Sequence, residues 1–561
     1  MRHKTKIAKI YILPQGKSIL DKSYGRVYNI WRLLFGACSV DITSPNSLWK
    51  DYDALALPLN KSALSPKSEN GVTVNEYYFD GFTTVDGRTR AYIKIYECPE
   101  SKGTVLYLAN KTGIVNQELL AKFIDFGYSV AVLDYLGVSN RERYTLYPAS
   151  LAACNLDGVD KFTIPNDSTS NWYVWTCISR RAIKLIKELY GEKSIFALGE
   201  GLGGSTVYKL AAFNDGLCAC ATLLNIIPAV EGEGNSLINY RASLDNNAYA
   251  PISKIPLFMA VSSNDNDGSL DDMAELAENT QSLKHFRIVE RAFSAGIKVA
   301  FDNLIEFFNN HANGVSNEPQ PKLEPSNSEN NLYYNITIDN ANDDDGECQV
   351  KLYVSFCIED ARFRNWMSIP LISLGNKKYM AKINVCQENK HIHAFANVIR
   401  NGVIYTSNLL SVIPKSMGVK AREGVVHRKI YDGSMGEDGW TARDGGTVSL
   451  VKGPYDIDGI TSTSGSLITF KPGDPLFRVP PDTMLQLMLC GQPQTVKVAV
   501  RDMTGTYEST VEIKSESDWS RFSLSHMNFK GAAGMLSGWS QILYLEFTAE
   551  KQLIVGSVLW V

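Results

Sequence analysis

The alternation of hydrophobic and polar residues along the chain changes character between its two halves. From residue 72 to residue 312, short apolar runs that predict buried strands alternate with segments of helical period. The predicted buried strands are Gly103–Ala109, Tyr128–Asp134, Ser194–Leu198, Cys220–Ile227 and Ile255–Val261. The predicted helices between and after them are Asn116–Phe126, Trp172–Tyr190 and Val299–Asn310. This alternation predicts a mostly parallel sheet with helices on both faces.

The helical period disappears beyond a stretch rich in Pro, Ser and Asn, Asn313–Asn331. Short alternating strands follow it, among them Val350–Phe356 and a hairpin over Val398–Tyr405 with Asn401-Gly402 at its tip. They predict a small β-sandwich of immunoglobulin type. A second all-β segment continues to the last residue, with strand patterns at Thr495–Arg501 and Leu553–Val561.

These patterns predict a multidomain protein, in which an α/β unit precedes two all-β sandwiches. The predicted boundaries are an N-terminal extension 1–71, an α/β domain 72–312, a linker 313–330, an immunoglobulin-like sandwich 331–415 and a jelly-roll sandwich 416–561. Within the extension, Ile19–Phe35 has a helical pattern and residues 58–71 are typical of a loop.

Charge and composition exclude several classes of partner. A net charge of −4 and a pI near 6.1 provide no basic surface for nucleic acid or an anionic membrane. Neither a signal peptide nor an apolar stretch of membrane-spanning length is recognisable, and the ten cysteines follow no zinc or disulfide spacing. We therefore expect a cytoplasmic protein in a reducing compartment, with no metal and no cofactor.

The glycine-rich turn after the third predicted buried strand carries the strongest chemical signal. It comprises Gly199, Gly201, Gly203 and Gly204, directly before a helical segment. This is the layout of the nucleophile elbow Gly-x-Ser-x-Gly, in which a tight strand-to-helix turn exposes a serine hydroxyl. Gly201 occupies the place of that serine, and glycine has no side chain to react.

Residues 72–312 resemble an α/β-hydrolase of the acetyl xylan esterase or dienelactone hydrolase type. The resemblance is carried by the elbow, Asp134–Ser139, Tyr144–Pro148 and Asn171–Trp175. It implies a catalytic triad with the acid at Asp265, next to Asp267. It also implies a histidine in the loop Glu290–Gly296, which contains none, while His285 and His311 lie elsewhere. A triad needs nucleophile, base and acid within hydrogen-bond reach, and two of the three are missing.

Four interpretations of the elbow remain open. Ser205 or Thr206 replaces the missing nucleophile, or Gly199, Gly201 and Gly204 form a dinucleotide fingerprint with Glu231 and Glu233. Alternatively, the backbone of Gly201 and Leu202 at the start of the helix binds a small ester or an anion without turnover. The fourth interpretation is a purely structural domain.

Two further motifs lie in the β-rich half. His391 and His393 face the same way on a predicted strand, although no third metal ligand is nearby, and Asp339–Glu347 is better explained as a hairpin turn than as a calcium loop. Trp440 and Trp539 are flanked by small polar residues, and we expect them on the surface of a carbohydrate-binding sandwich. Tyr544 and Trp560 lie in apolar strand patterns that predict core positions.

The sequence therefore predicts an esterase-like protein that has lost serine-hydrolase catalysis and acts as a binding or scaffold protein. Its predicted ligands are a carbohydrate or a small-molecule ester or anion. The alternative is an active esterase that uses a displaced nucleophile such as Ser205. The sequence does not indicate an oligomeric state.

Overall fold

The computed structural model describes residues 43–138, 142–154, 170–191, 193–213, 215–224, 235–266, 269–314, 318–339, 348–422 and 426–561. The predicted helix Ile19–Phe35, the residues Ser139, Glu231, Glu233 and Asp267, and most of the predicted turn Asp339–Glu347 lie outside the described residues.

The first unit is built around one mixed ten-stranded sheet. Its strands are β1 (Ser62–Ala63), β2 (Lys67–Glu69), β3 (Val72–Thr84), β4 (Gly87–Glu97), β5 (Gly103–Leu108), β6 (Ser129–Asp134), β7 (Ser194–Glu200), β8 (Ala219–Leu223), β9 (Leu257–Ser262) and β10 (Lys284–Val289). Its helices are α1 (Pro45–Leu48), α2 (Gln117–Asp125), α3 (Asn171–Tyr190), α4 (Leu202–Leu210), α5 (Asn235–Ser243), α6 (Asn246–Tyr249), α7 (Leu270–Asn279) and α8 (Phe301–Ala312).

The sheet has the strand order β1-β3-β4-β6-β5-β7-β8-β9-β10, with β2 paired to β3. The six strands from β6 to β10 along this path are parallel, and β3 and β4 add an antiparallel edge. The mixed sheet fits the predicted α/β-hydrolase fold. Short strands β1 and β2 replace part of the loop predicted at 58–71.

Helices cover both faces of the sheet, as the apolar runs predict. Alternate residues of β5 belong to different cores: Leu106 packs with α3 and α4, whereas Val105 packs with α2 and α8. Ser170 and Asn116 are the N-caps of α3 and α2, because their side-chain oxygens accept N–H groups of the first turn. Gly191, with φ 72°, follows the last residue of α3.

The second unit is a sandwich of two antiparallel sheets with a shared apolar core. Its strands are β11 (Gln320–Ser328), β12 (Asn331–Asp339), β13 (Gln349–Phe356), β14 (Met367–Ile369), β15 (Ile372–Gly375), β16 (Lys378–Ile383), β17 (Ile392–Arg400), β18 (Val403–Thr406) and β19 (Leu410–Val412). The hairpin tip at Asn401-Gly402 is confirmed, with both residues at positive φ. β11 occupies half of the segment 313–330 predicted as a linker, and it pairs along its whole length with β12.

The third unit is a sandwich of two six-stranded sheets whose described strand pairs are antiparallel. Its strands are β20 (Lys429–Asp432), β21 (Val448–Lys452), β22 (Asp458–Ser462), β23 (Ser466–Thr469), β24 (Leu485–Gly491), β25 (Gln494–Arg501), β26 (Thr506–Ile513), β27 (Ser520–Leu524), β28 (Lys530–Gly531), β29 (Gly534–Met535), β30 (Tyr544–Thr548) and β31 (Leu553–Trp560).

Both sandwiches dock on the loops that follow β9 and β10. The Asn264 amide donates to the backbone carbonyl of Arg364 (2.9 Å) and also reaches that of Arg362 (3.3 Å). Arg291 pairs with Asp438, and a Cβ on Gly445 would lie 2.8 Å from the carbonyl oxygen of Ala295. The three units therefore meet at the carboxyl ends of the parallel strands.

No helix among the described residues combines the length and the apolar character needed to cross a bilayer.

Candidate functional site

The turn between β7 and α4 has the backbone conformation of a nucleophile elbow. Gly201 precedes the first residue of α4 with φ 51° and ψ −115°. Side chains rarely adopt a positive φ of this kind, whereas glycine adopts it without steric cost. Gly201 therefore lies in a strained strand-to-helix turn of the kind predicted from the Gly-x-Ser-x-Gly layout, and it carries no side chain.

Two neighbouring glycines are required by close packing around this turn. A Cβ on Gly199 would lie 2.2 Å from the carbonyl oxygen of Gly203. A Cβ on Gly203 would lie 2.2 Å from the carbonyl oxygen of Leu108, at the end of β5. The flanking glycines of the Gly-x-Ser-x-Gly pattern thus have a packing role that is independent of catalysis.

The predicted acid and the predicted histidine loop do meet. Asp265 follows β9 and is 3% exposed, and the hydroxyl of Ser294 donates a hydrogen bond to its carboxylate. Ser294 begins the 3-10 helix Ser294–Ala300 in the loop where the resemblance places a histidine. A serine hydroxyl thus contacts the carboxylate for which the resemblance implies a histidine partner.

A pocket of about 340 Å³ opens beside Gly201 at the carboxyl ends of β5, β7 and β8. It is lined by Asn110, Asn116, Glu118, Glu200, Gly201, Leu223, Leu224, Ser294, Ala295, Ile297, Lys298 and Phe301. Ligands of open α/β sheets bind at this edge. We call this cavity the elbow pocket.

Glu200, which the sequence analysis did not single out, is the main ionisable group next to the elbow. Burial raises its pKa, while a hydrogen bond from the Tyr107 hydroxyl lowers it in part. That hydroxyl also accepts the N–H of Asn116 (3.1 Å), which directs its own proton toward Glu200. Glu118 is a second carboxylate in the lining. The lining thus holds two carboxylates and one cation, Lys298, and this excess of carboxylates disfavours a diphosphate, and therefore the dinucleotide interpretation, at this helix start.

The predicted alternative nucleophiles do not reach the pocket. Ser205 and Thr206 are both 0% exposed, and neither lines the cavity. The Thr206 hydroxyl hydrogen-bonds the carbonyl of Leu202, one turn earlier in α4. Leu202 itself is the first residue of the helix, and its side chain packs in the core below the elbow.

The histidines in the described part of the chain lie away from Gly201. His285, on β10, stacks on Tyr405 with its Nδ1 3.3 Å from Glu318, and His311 packs on Phe307 near the end of α8. His391 and His393 do face the same way, with ring centroids 5.7 Å apart. No cluster of three His, Cys, Asp or Glu side chains suited to a metal ion occurs among the described residues.

The predicted surface positions of Trp440 and Trp539 are wrong. Trp440 is 4% exposed, packed against Tyr431 and Phe547, and Trp539 is 1% exposed, packed against Trp560. Their indoles are part of the apolar core of the third unit. Burial of these large rings depends on the strands packed around them, not on the small residues beside them in sequence. Neither ring is available for stacking on a sugar.

No protein-family model and no curated protein matches the chain. Solved structures to which it is similar include two acetyl xylan esterases. One, from Thermoanaerobacterium sp. JW/SL YS485, is 13% identical, with 48% of this chain and 95% of that chain covered and a TM-score of 0.39. The other, from Paenibacillus sp. R4, is 12% identical, with coverages of 46% and 90% and a TM-score of 0.35.

A cold-adapted esterase from an Arctic intertidal metagenomic library is also similar, at 12% identity, coverages of 46% and 99% and a TM-score of 0.33. The matched part is under half of the present chain in each case. The assignment of the fold therefore rests on the strand order and on the conformation of the elbow.

Proposed function

We propose that this protein is an esterase-like binding protein that holds a small ester or carbohydrate in the elbow pocket and does not hydrolyse it. The observation that carries the proposal is the pair of substitutions at the site. Gly201 keeps the elbow conformation without a hydroxyl, and Ser294 occupies the contact to Asp265 that an imidazole would need.

The pocket itself supports binding. Its volume of about 340 Å³ lies within the range of small-molecule sites, roughly 300–1,000 Å³. Its lining combines apolar side chains such as Leu223 and Phe301 with polar groups such as Asn110 and Glu200. Such a mixture suits a ligand with hydroxyl or ester oxygens, which accept and donate hydrogen bonds beside apolar carbon.

The test restores the missing groups and asks whether chemistry returns. In the variant Gly201→Ser/Ser294→His, the new serine adopts the elbow conformation and the new imidazole reaches Asp265. We expect a fluorophosphonate probe to label this serine, with loss of fluoride, and para-nitrophenyl acetate to be hydrolysed measurably. The matched control Gly201→Ala/Ser294→His adds the same Cβ and the same imidazole without a hydroxyl, and remains unlabelled.

The unmodified protein should show neither labelling nor turnover. Labelling of the unmodified protein that disappears on Ser205→Ala would overturn the proposal in favour of an active esterase. For the binding part, saturation-transfer NMR with para-nitrophenyl acetate should show contact with the unmodified protein and none with Ser294→Trp, which fills the pocket. Equal saturation transfer in both proteins would show that the ester binds outside the elbow pocket.

A further inference from the structure

A second cavity, of about 520 Å³, lies where the three units of the chain meet. We call it the inter-domain cleft. The first unit contributes Asn266 and Phe293 to it, and the second contributes Arg362 and Phe363. Its floor is one face of the sheet that contains β25, β26 and β30. The cleft shares no lining residue with the elbow pocket.

The floor of the cleft follows from strand alternation, because successive side chains point to opposite faces of a sheet. In β25, Val496, Val498 and Val500 point into the sandwich core, and Lys497, Ala499 and Arg501 line the cleft. The strand register places Thr506 and Tyr544 beside Arg501, Glu508 and Glu546 beside Ala499, and Thr548 beside Lys497. The result is a flat polar floor with a small residue at its centre.

Aromatic rings from all three units form the walls. Phe363 stacks on Tyr544 with ring centroids 6.4 Å apart, and Phe293 packs on Phe470 at 6.0 Å. Phe363 and Phe293 are half-buried, so that part of each ring faces the cavity. A flat aromatic ring beside polar groups suits a ligand that has one apolar face and several hydroxyls, such as a sugar ring.

Four cations line the cleft, and three of them are paired with carboxylates. Arg443 donates to both oxygens of Glu546 at 2.6 and 2.7 Å, Lys497 lies 3.1 Å from Glu508, and Arg362 lies 2.7 Å from Asp360. These pairs fix the side chains of the floor and rim. They also leave the carboxylates as hydrogen-bond acceptors beside the open space.

Arg501 is the fourth cation, and it has no carboxylate within 4 Å among the described residues. Its guanidinium reaches the Thr506 hydroxyl at 3.4 Å and lies 5.9 Å from the centroid of Phe363. A guanidinium presents five donors in a planar fork, so most of its hydrogen-bonding capacity is available to a ligand.

We propose that the inter-domain cleft binds an acidic saccharide. The carboxylate of one sugar unit pairs with Arg501, its hydroxyls donate to Glu508 and accept from Thr506 and Thr548, and one ring face packs on Phe363. A single uncompensated cation matches a single carboxylate, since Arg and carboxylate form two parallel hydrogen bonds.

The experiment is calorimetric titration of the full chain with trigalacturonate. We expect saturable binding, and a loss of affinity of at least tenfold in Arg501→Gln. The matched control is Arg521→Gln, which removes an exposed arginine from β27, in the other sheet of the same sandwich, and should bind as the unmodified protein does. Maltotriose, which lacks the carboxylates, and sodium acetate, which lacks the ring, should both bind at least tenfold more weakly.

Three results would overturn the proposal: no binding of trigalacturonate, equal affinity in Arg501→Gln, or equal affinity for maltotriose or acetate. Thermal unfolding of each variant shows whether it is folded. If Arg501→Gln is not folded, Arg501→Lys keeps the cation and loses the planar fork, and its affinity should fall severalfold. An unchanged affinity of Arg501→Lys would then count against the proposed pairing.

Discussion

The elbow pocket and the inter-domain cleft are held together by different forces. The elbow pocket lies at the ends of neighbouring strands, where backbone atoms of β5, β7 and α4 approach so closely that Gly203 has no room for a Cβ. The cleft lies between three units, and ion pairs such as Arg443–Glu546 and stacked rings hold its walls. We therefore expect substitutions that add volume or remove a buried charge to destabilise the unit that contains the elbow pocket. Changes in the ionisation of side chains should instead destabilise the docking of the units that form the cleft.

We expect the largest loss of stability from breaking the buried ion pair that links α3 to the segment after α4. Arg180 of α3 donates to both oxygens of Asp215, beyond α4, at 2.6 and 3.0 Å, with both side chains buried. Asp215→Asn leaves the Arg180 charge uncompensated and should lower the free energy of unfolding by about 4 kcal/mol. Urea unfolding followed by circular dichroism measures it.

Asp302→Asn is the control, because its carboxylate pairs with Lys122 but is 77% exposed. It should cost less than about 1 kcal/mol. An equal decrease in the free energy of unfolding in the two variants would show that the buried pair does not stabilise the helices next to the elbow.

The next largest effect concerns the close packing of the elbow. Gly203→Ala places a Cβ 2.2 Å from a backbone oxygen of β5, so that helix and strand must separate. We expect a loss of roughly 3 kcal/mol. Gly505→Ala is its control, because nothing lies within 4 Å of the added atom. A Gly203→Ala protein as stable as Gly505→Ala would contradict the packing role of this glycine.

A smaller effect should be a pH dependence of stability, which arises where the second and third units dock. Asp474 of the third unit accepts a hydrogen bond from the Asn365 amide of the second unit at 3.2 Å, and burial raises its pKa to about 6. The folded protein then binds a proton that the unfolded chain releases near pH 4. Stability therefore falls as pH rises from about 4 to about 6, by roughly 2 to 3 kcal/mol from this group, and changes no further above that range.

Asp474→Asn removes this contribution, because the amide keeps an acceptor for the Leu476 N–H and carries no charge. The difference in unfolding free energy between the two proteins, measured across this pH range, isolates the group. A difference that does not vary with pH would show that Asp474 is ionised equally in both states. Asp518→Asn, at an exposed position, is the matched substitution and should show no such trend.

Sequence reasoning reached the elbow pocket because one local motif and the order of parallel strands define it. Gly199–Gly204 identified the turn, and the resemblance to an α/β-hydrolase implied that Asp265 and the loop of Ser294 lie at the same edge, where the structure brings them into contact. Sequence reasoning missed Glu200. A single charged residue between two glycines belongs to no hydrophobic pattern, so nothing in the sequence predicts that it lines a pocket. Trp440 and Trp539 were misplaced because their sequence neighbours are small, whereas burial depends on strands distant in sequence.

The inter-domain cleft has no such signature. Asn266, Phe363 and Arg501 come from three units, and only the docking of those units brings them together. The pairing of Arg443 with Glu546 also spans about a hundred residues of chain, which no local pattern encodes. A site between domains therefore needs the tertiary structure before its residues can be recognised.

The amide of Asn264 connects the loop after β9 to the backbone of the second unit. Here the residue beside Asp265 is bound to backbone carbonyls of the second unit, which accept the Asn264 amide whatever side chains they carry. A substitution at Arg362 or Arg364 therefore leaves these two acceptors in place, whereas a substitution of Asn264 removes both of these hydrogen bonds between the units at once.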